Sequence, residues 1–248
     1  MQNLKLTIAY DGTNYAGWQI QKNAPTVQET IEKVLHRILQ EKVRLTGASR
    51  TDAGAHAIGQ AANFTIRGRA PNLQILLRGL NGLLPRDIRI LKIERVPSEF
   101  HSQFDAKKKL YRYTIVTSPE ALPQERFFVY HYPYSLNVNT MKQAARFLAG
   151  RHDFASFQSA GATRRDTSTI RTVHRLQIFQ KKDRLIFEVE ANGFLYTMVR
   201  TIIGTLLEVG NGKRRVKDVR TILTQRDRCQ AGAVLPAKGL VLQRVWYP

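Results

Sequence analysis

The sequence predicts an α+β fold made of two ferredoxin-like split βαβ halves, residues 1–105 and 106–248. Two observations carry that reading. Hydrophobic residues recur with the two-residue period of strands or the helical 3.6-residue period, in the order strand, helix, strand, strand, helix, strand. That order then occurs a second time. A 43% hydrophobic content over 248 residues is enough core for one large domain or two small ones. Side by side, the two sheets would make one extended mixed, mainly antiparallel sheet. Helices would cover one face, and a basic active-site cleft would lie between the halves.

The elements follow in order. Residues 4–10 (LKLTIAY) alternate and run into the Asp11-Gly12 turn, which reads as a strand. Thr26 with Glu29 three residues later forms a capping-box pattern; Val27, Ile31, Val34, Leu35 and Ile38 then follow at helical spacing. Strands are expected at Val43–Leu45 and Gln60–Ile66, a helix over Leu73–Leu84 ended by Pro85, and a strand over Ile88–Val96. In the second half, Leu110–Val116 alternates, with Tyr111, Tyr113 and Ile115 on one face and Arg112 and Thr114 on the other. Val138, Met141, Ala145 and Leu148 make a helical stripe closed by Gly150. Val173–Phe179 and Leu185–Ala191 read as a hairpin across 181–184. Tyr196–Val209 and Val216–Leu223 read as helices and Leu240–Trp246 as a closing strand.

Charge narrows the function. Thirty-nine Lys and Arg against 19 Asp and Glu give +20, a field that attracts polyanions, of which nucleic acid is the commonest in a cell. The excess is uneven: 14 basic and nine acidic residues in 1–105, net +5, against 25 and 10 in 106–248, net +15. The second half should therefore hold more of the phosphate-facing surface. Cys229 is the only cysteine, which excludes an intramolecular disulfide and a cysteine zinc cluster. The six histidines lack metal-ligand spacing, so no metal is expected. No segment approaches the ~20 apolar residues of a membrane span, and none resembles a signal peptide, so the expected location is cytoplasmic.

No phosphate-binding fingerprint occurs. Gly210-Asn211-Gly212-Lys213 lacks the spacing of one and reads as a helix C-cap followed by a basic turn. The segment that could carry chemistry is 47–57, where Arg50 and Asp52 stand among Gly47, Ala48, Ala53, Gly54, Ala55 and Ala57. Such small residues let the backbone run close to another group, read here as a substrate. A plain turn in which Asp52 caps its own backbone is the alternative.

Arg50-Thr51-Asp52-Ala53-Gly54 with His56 resembles the Gly-Arg-Thr-Asp-Ala-Gly-Val-His signature of the tRNA pseudouridine synthase A family, Ala55 replacing the usual Val. Four more segments resemble that family in order: Tyr10–Gln19, Lys109–Tyr113, His152–Phe157 and Ala191–Arg200. The resemblance implies a cofactor-free isomerase acting on tRNA. Its substrates would be uridines 38 to 40 of the anticodon stem-loop, and the enzyme would be a homodimer. The N1–C1′ bond of uridine breaks, the base turns, and C5 joins C1′, with no net oxidation or phosphorylation. By resemblance Asp52 is the catalytic carboxylate, acting as nucleophile at C1′ or as base at C2′. Arg200 is its cationic partner, Tyr111 holds the flipped base, and Arg50 fills the space the base leaves. His56 and Asn192, inside matched motifs, are candidates for substrate contact. Arg112, Arg164, Arg165 and Arg171 are candidates for phosphates.

Two other classes compete. A non-catalytic RNA-binding module with ferredoxin-like units would need an aromatic RNP1 pattern, which is absent. A metal-dependent nuclease would need clustered acidic ligands, and no acidic residue lies nearer to Asp52 in sequence than Glu41.

Overall fold

The first strand, β1 (Gln2–Tyr10), sorts its residues by face: Leu4, Leu6 and Ile8 are fully buried while Lys5 and Thr7 remain partly open. The computed structural model describes residues 1–68, 71–159 and 168–248, and these divide into two units, 1–107 with 241–248, and 108–240. The fold is α+β. In the first unit β1 is followed by α1 (Val27–Leu39), β2 (Thr46–Gly47), β3 (His56–Ile66), α2 (Leu73–Leu83) and β4 (Ile88–Val96). β1 pairs antiparallel with β3 (Leu6 opposite Ala62) and with β4 (Leu6 opposite Ile93), and β2 pairs with β3. Numbered in chain order, that is the 4-1-3-2 strand order of a ferredoxin-like unit.

The strand expected at 43–45 is absent. It begins at Thr46 and spans two residues, because α1 takes the backbone groups before it: Leu45 N donates to the Glu32 carboxylate (2.8 Å) and Gln28 Nε2 donates to Leu45 O (3.0 Å). Helix α1 starts where its cap predicts. Thr26 Oγ1 accepts from Glu29 N, but the Glu29 carboxylate pairs with Lys33 (2.8 Å), so the capping pattern is realised from one side. On the sheet's other face, Asn63 Nδ2 donates to Asn3 Oδ1 and Asn3 Nδ2 to Phe100 O, tying the 97–105 segment across β1 and β3. The chain's last strand, β10 (Leu240–Trp246), sends Val241–Pro248 into this unit and pairs in parallel with β3, Val241 opposite His56.

The second unit has β5 (Lys108–Val116), β6 (Tyr130–His131), α3 (Val138–Ala145), β7 (Gly150–Asp153), β8 (Ile170–Lys181), β9 (Arg184–Ala191), α4 (Met198–Gly210) and α5 (Asp218–Gln225). Its antiparallel sheet runs β5-β9-β8-β7, with β6 parallel on the end of β5. β5 buries Tyr111, Tyr113 and Ile115 on the expected face. The hairpin β8–β9 turns through Lys182, whose φ is 51°. Helix α4 begins two residues later than its hydrophobicity suggests, because Thr197 adopts a left-handed φ of 59°. Its end is the expected cap, Asn211 N donating to Leu207 O and Gly212 turning at φ 79°. Among the described residues no helix is long and apolar enough to cross a membrane.

The account of 43–45 has a direct test. Glu32→Ala leaves the buried Leu45 N–H without its acceptor, and should cost about 1–3 kcal/mol. Urea denaturation should show a lower midpoint at unchanged slope; an unchanged midpoint would mean that water replaces the carboxylate at no loss.

Candidate active site

In the first unit, the segment between β2 and β3 carries Arg50, Thr51 and Asp52, and the turn after β1 presses against it. Gly12 and Gly17 make that approach possible. A Cβ on Gly12 would fall 1.9 Å from Ala55 O; one on Gly17, whose φ is +95°, would fall 2.5 Å from Thr51 O. Trp18 N donates to Thr51 O (3.1 Å), Gly54 N to Tyr15 O (3.3 Å), and Ala55 N closes a turn onto Asp52 O (3.1 Å). The hydroxyls of Tyr10 and Thr51 are hydrogen-bonded at 2.7 Å, and Thr51 is buried. The small residues of 47–57 thus serve close packing within the chain. Gly47 is one of them, since a Cβ there would meet the Trp18 ring at 2.3 Å.

Asp52 is half-buried and Arg50 is exposed, one residue on either side of the anchored Thr51. Residues flanking a fixed, buried backbone position inherit its rigidity, which is what a reacting group requires. His56, at the start of β3, is almost fully buried. Its Nδ1 lies 3.0 Å from Gly12 N and 3.1 Å from Asp11 Oδ1. Both contacts cannot use one ring nitrogen in the same protonation state. Gly12 N–H can only donate, so Nδ1 is the acceptor in that bond. Asp11 Oδ1 meanwhile accepts from Thr13 N (3.0 Å). His56 therefore works as an anchor of the 11–12 turn. Tyr15 donates its hydroxyl to Asp87 Oδ1 (2.8 Å); burial first, then that bond, pushes the phenol well above its ordinary range.

In the second unit, Tyr111 is buried on β5, its ring meeting Phe194 edge to face at 5.1 Å and 89°. Tyr113 lies deeper on the same face. Its hydroxyl donates to Pro236 O (2.7 Å), and burial above all raises its pKa, with the nearby Arg200 charge acting the other way. Arg200, on the first turn of α4, is held by Nε donating to Leu235 O at 2.6 Å. The 231–239 segment can reach α4 because Gly204 and Gly232 have no side chains; a Cβ on Gly204 would lie 2.0 Å from Ala233 O. Arg200 is thus a positioned cation, half-buried among Met198, Val199, Ile202 and Ile203.

The other candidates separate. Asn192 Oδ1 accepts from Thr172 N (2.9 Å), so part of this exposed side chain is used to join β9's end to β8. Arg112 pairs with Glu188 (2.7 Å), a carboxylate it shares with Arg175 (3.6 Å). Arg171 precedes the strand start expected at Val173 but lies on β8, where pairing with β7 carries the strand back to Ile170. Arg164 and Arg165 lie outside the described residues. Lys109 is a residue the sequence reading left without a role. It is buried on Tyr111's face of β5, a placement that the strand's alternation already encodes. Among the described residues, no three His, Cys, Asp or Glu side chains are grouped so as to hold a metal.

Comparison with known proteins adds to this geometry. A family model described as "tRNA pseudouridine synthase" matches residues 6–105 and 144–248. "tRNA pseudouridine synthase A" of Clostridium acetobutylicum is 47% identical over 247 residues, covering 100% of both chains. The protein of that name from Ruminiclostridium cellulolyticum is 47% identical over 248 residues, again covering 100% of both, and that of Thermoanaerobacter sp. is 45% identical over 247. The chain belongs to the tRNA pseudouridine synthase family.

The clamp predicts a contrast between two glycines. Gly12→Ala should lower stability by about 1–3 kcal/mol through forced displacement of Ala55. Gly82→Ala, in α2 with nothing near its added Cβ, should raise stability by about 0.5–1 kcal/mol. Thermal denaturation of both variants checks this, and equal effects would remove the clamp.

Proposed function

We propose that this chain converts uridine to pseudouridine at positions 38 to 40 of the tRNA anticodon stem-loop, with Asp52 as the catalytic carboxylate. The observation that carries the reading is Asp52's place in a turn immobilised by Gly12 and Gly17, inside a family match that covers both halves of the chain. The reaction is balanced within the nucleotide. The N1–C1′ bond breaks, the base reorients, a C5–C1′ bond forms, the proton leaves C5, and N1 gains one. An aspartate suits both available routes, attack at C1′ or removal of the C2′ hydrogen. Either is served by a fixed cation beside the developing charge. Arg200, held by Leu235 O, is the proposed source.

Each remaining residue has a proposed part. Tyr111, braced by Phe194, would hold the flipped base. Arg50, exposed and two residues from Asp52, would occupy the vacated stack. The +15 excess beyond residue 105 would hold the phosphates. The active form is proposed to be a cytoplasmic homodimer. One active site would take the anticodon arm while the other subunit steadies the tRNA. His56 enters as the anchor of the catalytic turn, and Asn192 as a substrate contact through the part of its amide turned from Thr172.

Asp52→Asn tests the assignment. It should reduce pseudouridine formation by at least about 10³-fold, as loss of a reacting group does, while tRNA affinity stays within about threefold because phosphate contacts supply it. Product measured by mass spectrometry and affinity by filter binding give the two numbers. Turnover near the wild-type rate would transfer the chemistry to another residue.

A further inference from the structure

Two stretches of the second unit meet at the C-terminal end of α4. Residues 211–217, Asn-Gly-Lys-Arg-Arg-Val-Lys, carry four basic residues and no acidic one. Asn211 joins this turn to the chain after β6 through both ends of its amide. Its Oδ1 accepts from Lys213 N (3.0 Å), and its Nδ2 donates to the Tyr132 hydroxyl (3.0 Å). A second tie lies beyond, where Asn137 N donates to Gly210 O (2.8 Å). Gly210 has to lack a side chain there, since a Cβ would sit 2.5 Å from Met141 Sδ. Between these two ties, Tyr134 N closes over Pro133 onto Tyr132 O (2.9 Å). The Tyr134 ring meets Tyr132 edge to face at 5.0 Å and 67°, and Tyr132 in turn lies 6.3 Å from Tyr130. Tyr134 is nonetheless 65% exposed. A braced aromatic ring therefore faces solvent beside a fixed basic turn.

We propose that Tyr134 and Lys213 form an accessory RNA platform, a proposal that rests on the functional reading above. An unpaired base stacks on the Tyr134 ring while Lys213 holds an adjoining phosphate. Every base has a π-face that an aromatic ring can take, so such a contact tolerates any sequence. The ring is braced before RNA arrives, which lowers the cost of ordering it. Lys213 is exposed, on a flexible stem that lets its ammonium follow a phosphate. Arg214 and Arg215, paired with Glu208 (2.7 Å) and Asp218 (3.1 Å), hold the shape of the turn. Charge decides between RNA and a protein partner. The cores of protein interfaces are depleted of charge, whereas this ring is bordered by four cations in seven residues, which suits a polyanion.

The platform takes a nucleotide other than the reacting uridine. Tyr111 stands near the start of β5, and the chain carrying Tyr132 joins the strand's other end: Tyr130 pairs with Ile115, and Tyr132 N donates to Val116 O (2.8 Å). The strand from Tyr111 to Val116 spans roughly 16 Å. Helix α4 gives the same measure. Arg200 lies on its first turn and Gly210 at its end, about 15 Å apart. An RNA that reaches both places is held at two separate points of the second unit.

The test is tRNA affinity over a salt series for wild type, Tyr134→Ala, Tyr134→Phe and Lys213→Ala, with thermal midpoint and light scattering on each. Tyr134→Ala should bind at least about fivefold more weakly with an unchanged salt slope, because it removes a stacking face and no charge. Tyr134→Phe keeps the face and should bind as wild type does. Lys213→Ala should flatten the plot of log affinity against log salt by about 0.7, the share of one phosphate on a single strand. All three should melt at the wild-type midpoint, since both side chains are exposed. Wild-type affinity in Tyr134→Ala, or an unchanged slope in Lys213→Ala, alongside a wild-type protein that forms pseudouridine, would overturn the platform alone. So would a loss of affinity in Tyr134→Ala that follows a change of oligomeric state, which would make the ring a contact between copies of the chain. A wild-type protein that neither binds nor modifies tRNA would overturn the functional reading as well.

Discussion

The first unit depends on a contact in which two stretches of backbone touch with no side chain between them. Gly12 and Gly17 bring the turn after β1 against Thr51–Ala55 closely enough that a single methyl group at either glycine would collide with a carbonyl oxygen. The surrounding bonds fill in around that approach: Trp18 N to Thr51 O, Gly54 N to Tyr15 O, and Gly12 N to the His56 ring. Rigidity at Asp52 is the consequence. A half-buried carboxylate on a mobile loop would spend most of its time out of reaction geometry, and an error of about 1 Å is enough to cost a large factor in rate.

The second unit is organised by charge. Six of its acidic residues, Glu125, Asp153, Glu188, Glu190, Glu208 and Asp218, form local ion pairs with arginines or a lysine. Exposed pairs of this kind add little stability. Their effect is to fix guanidinium groups in place while leaving this unit's surplus of +13, 23 basic against 10 acidic residues in 108–240, to act on a polyanion. Arg200 is positioned by other means, a carbonyl acceptor on a segment that two glycines allow to pack on α4.

Much of this was legible in the sequence, since long periodic segments reveal their structure. β1, β4 and β10 lie where alternation puts them, and α1 and α2 begin at their capping residues. What escaped was set by long-range contacts. Nothing local in Val43–Leu45 reveals that Glu32 and Gln28 will take its backbone groups, and nothing in Thr197 announces a left-handed turn. The small residues near Asp52 signalled a close approach, which the sequence reading assigned to a substrate. The approach turned out to be the chain's own 12–17 turn. Lys109 was visible as a charged residue on the buried face of an alternating strand; the pattern assigned its direction but not its neighbour Arg171, which is 62 positions away by their residue numbers.

Both units serve one central claim, that the chain isomerises uridine in tRNA through a carboxylate and without help from a bound cofactor. The chemistry leaves a direct signature, because forming the C5–C1′ bond expels the hydrogen from C5. The decisive measurement is tritium release from tRNA labelled with tritium at C5 of uridine, using purified protein with EDTA present and no nucleotide added. The account predicts release in step with pseudouridine formed, up to the number of modified uridines per tRNA. Absence of release from prefolded tRNA, or release that requires an added cofactor, would contradict it.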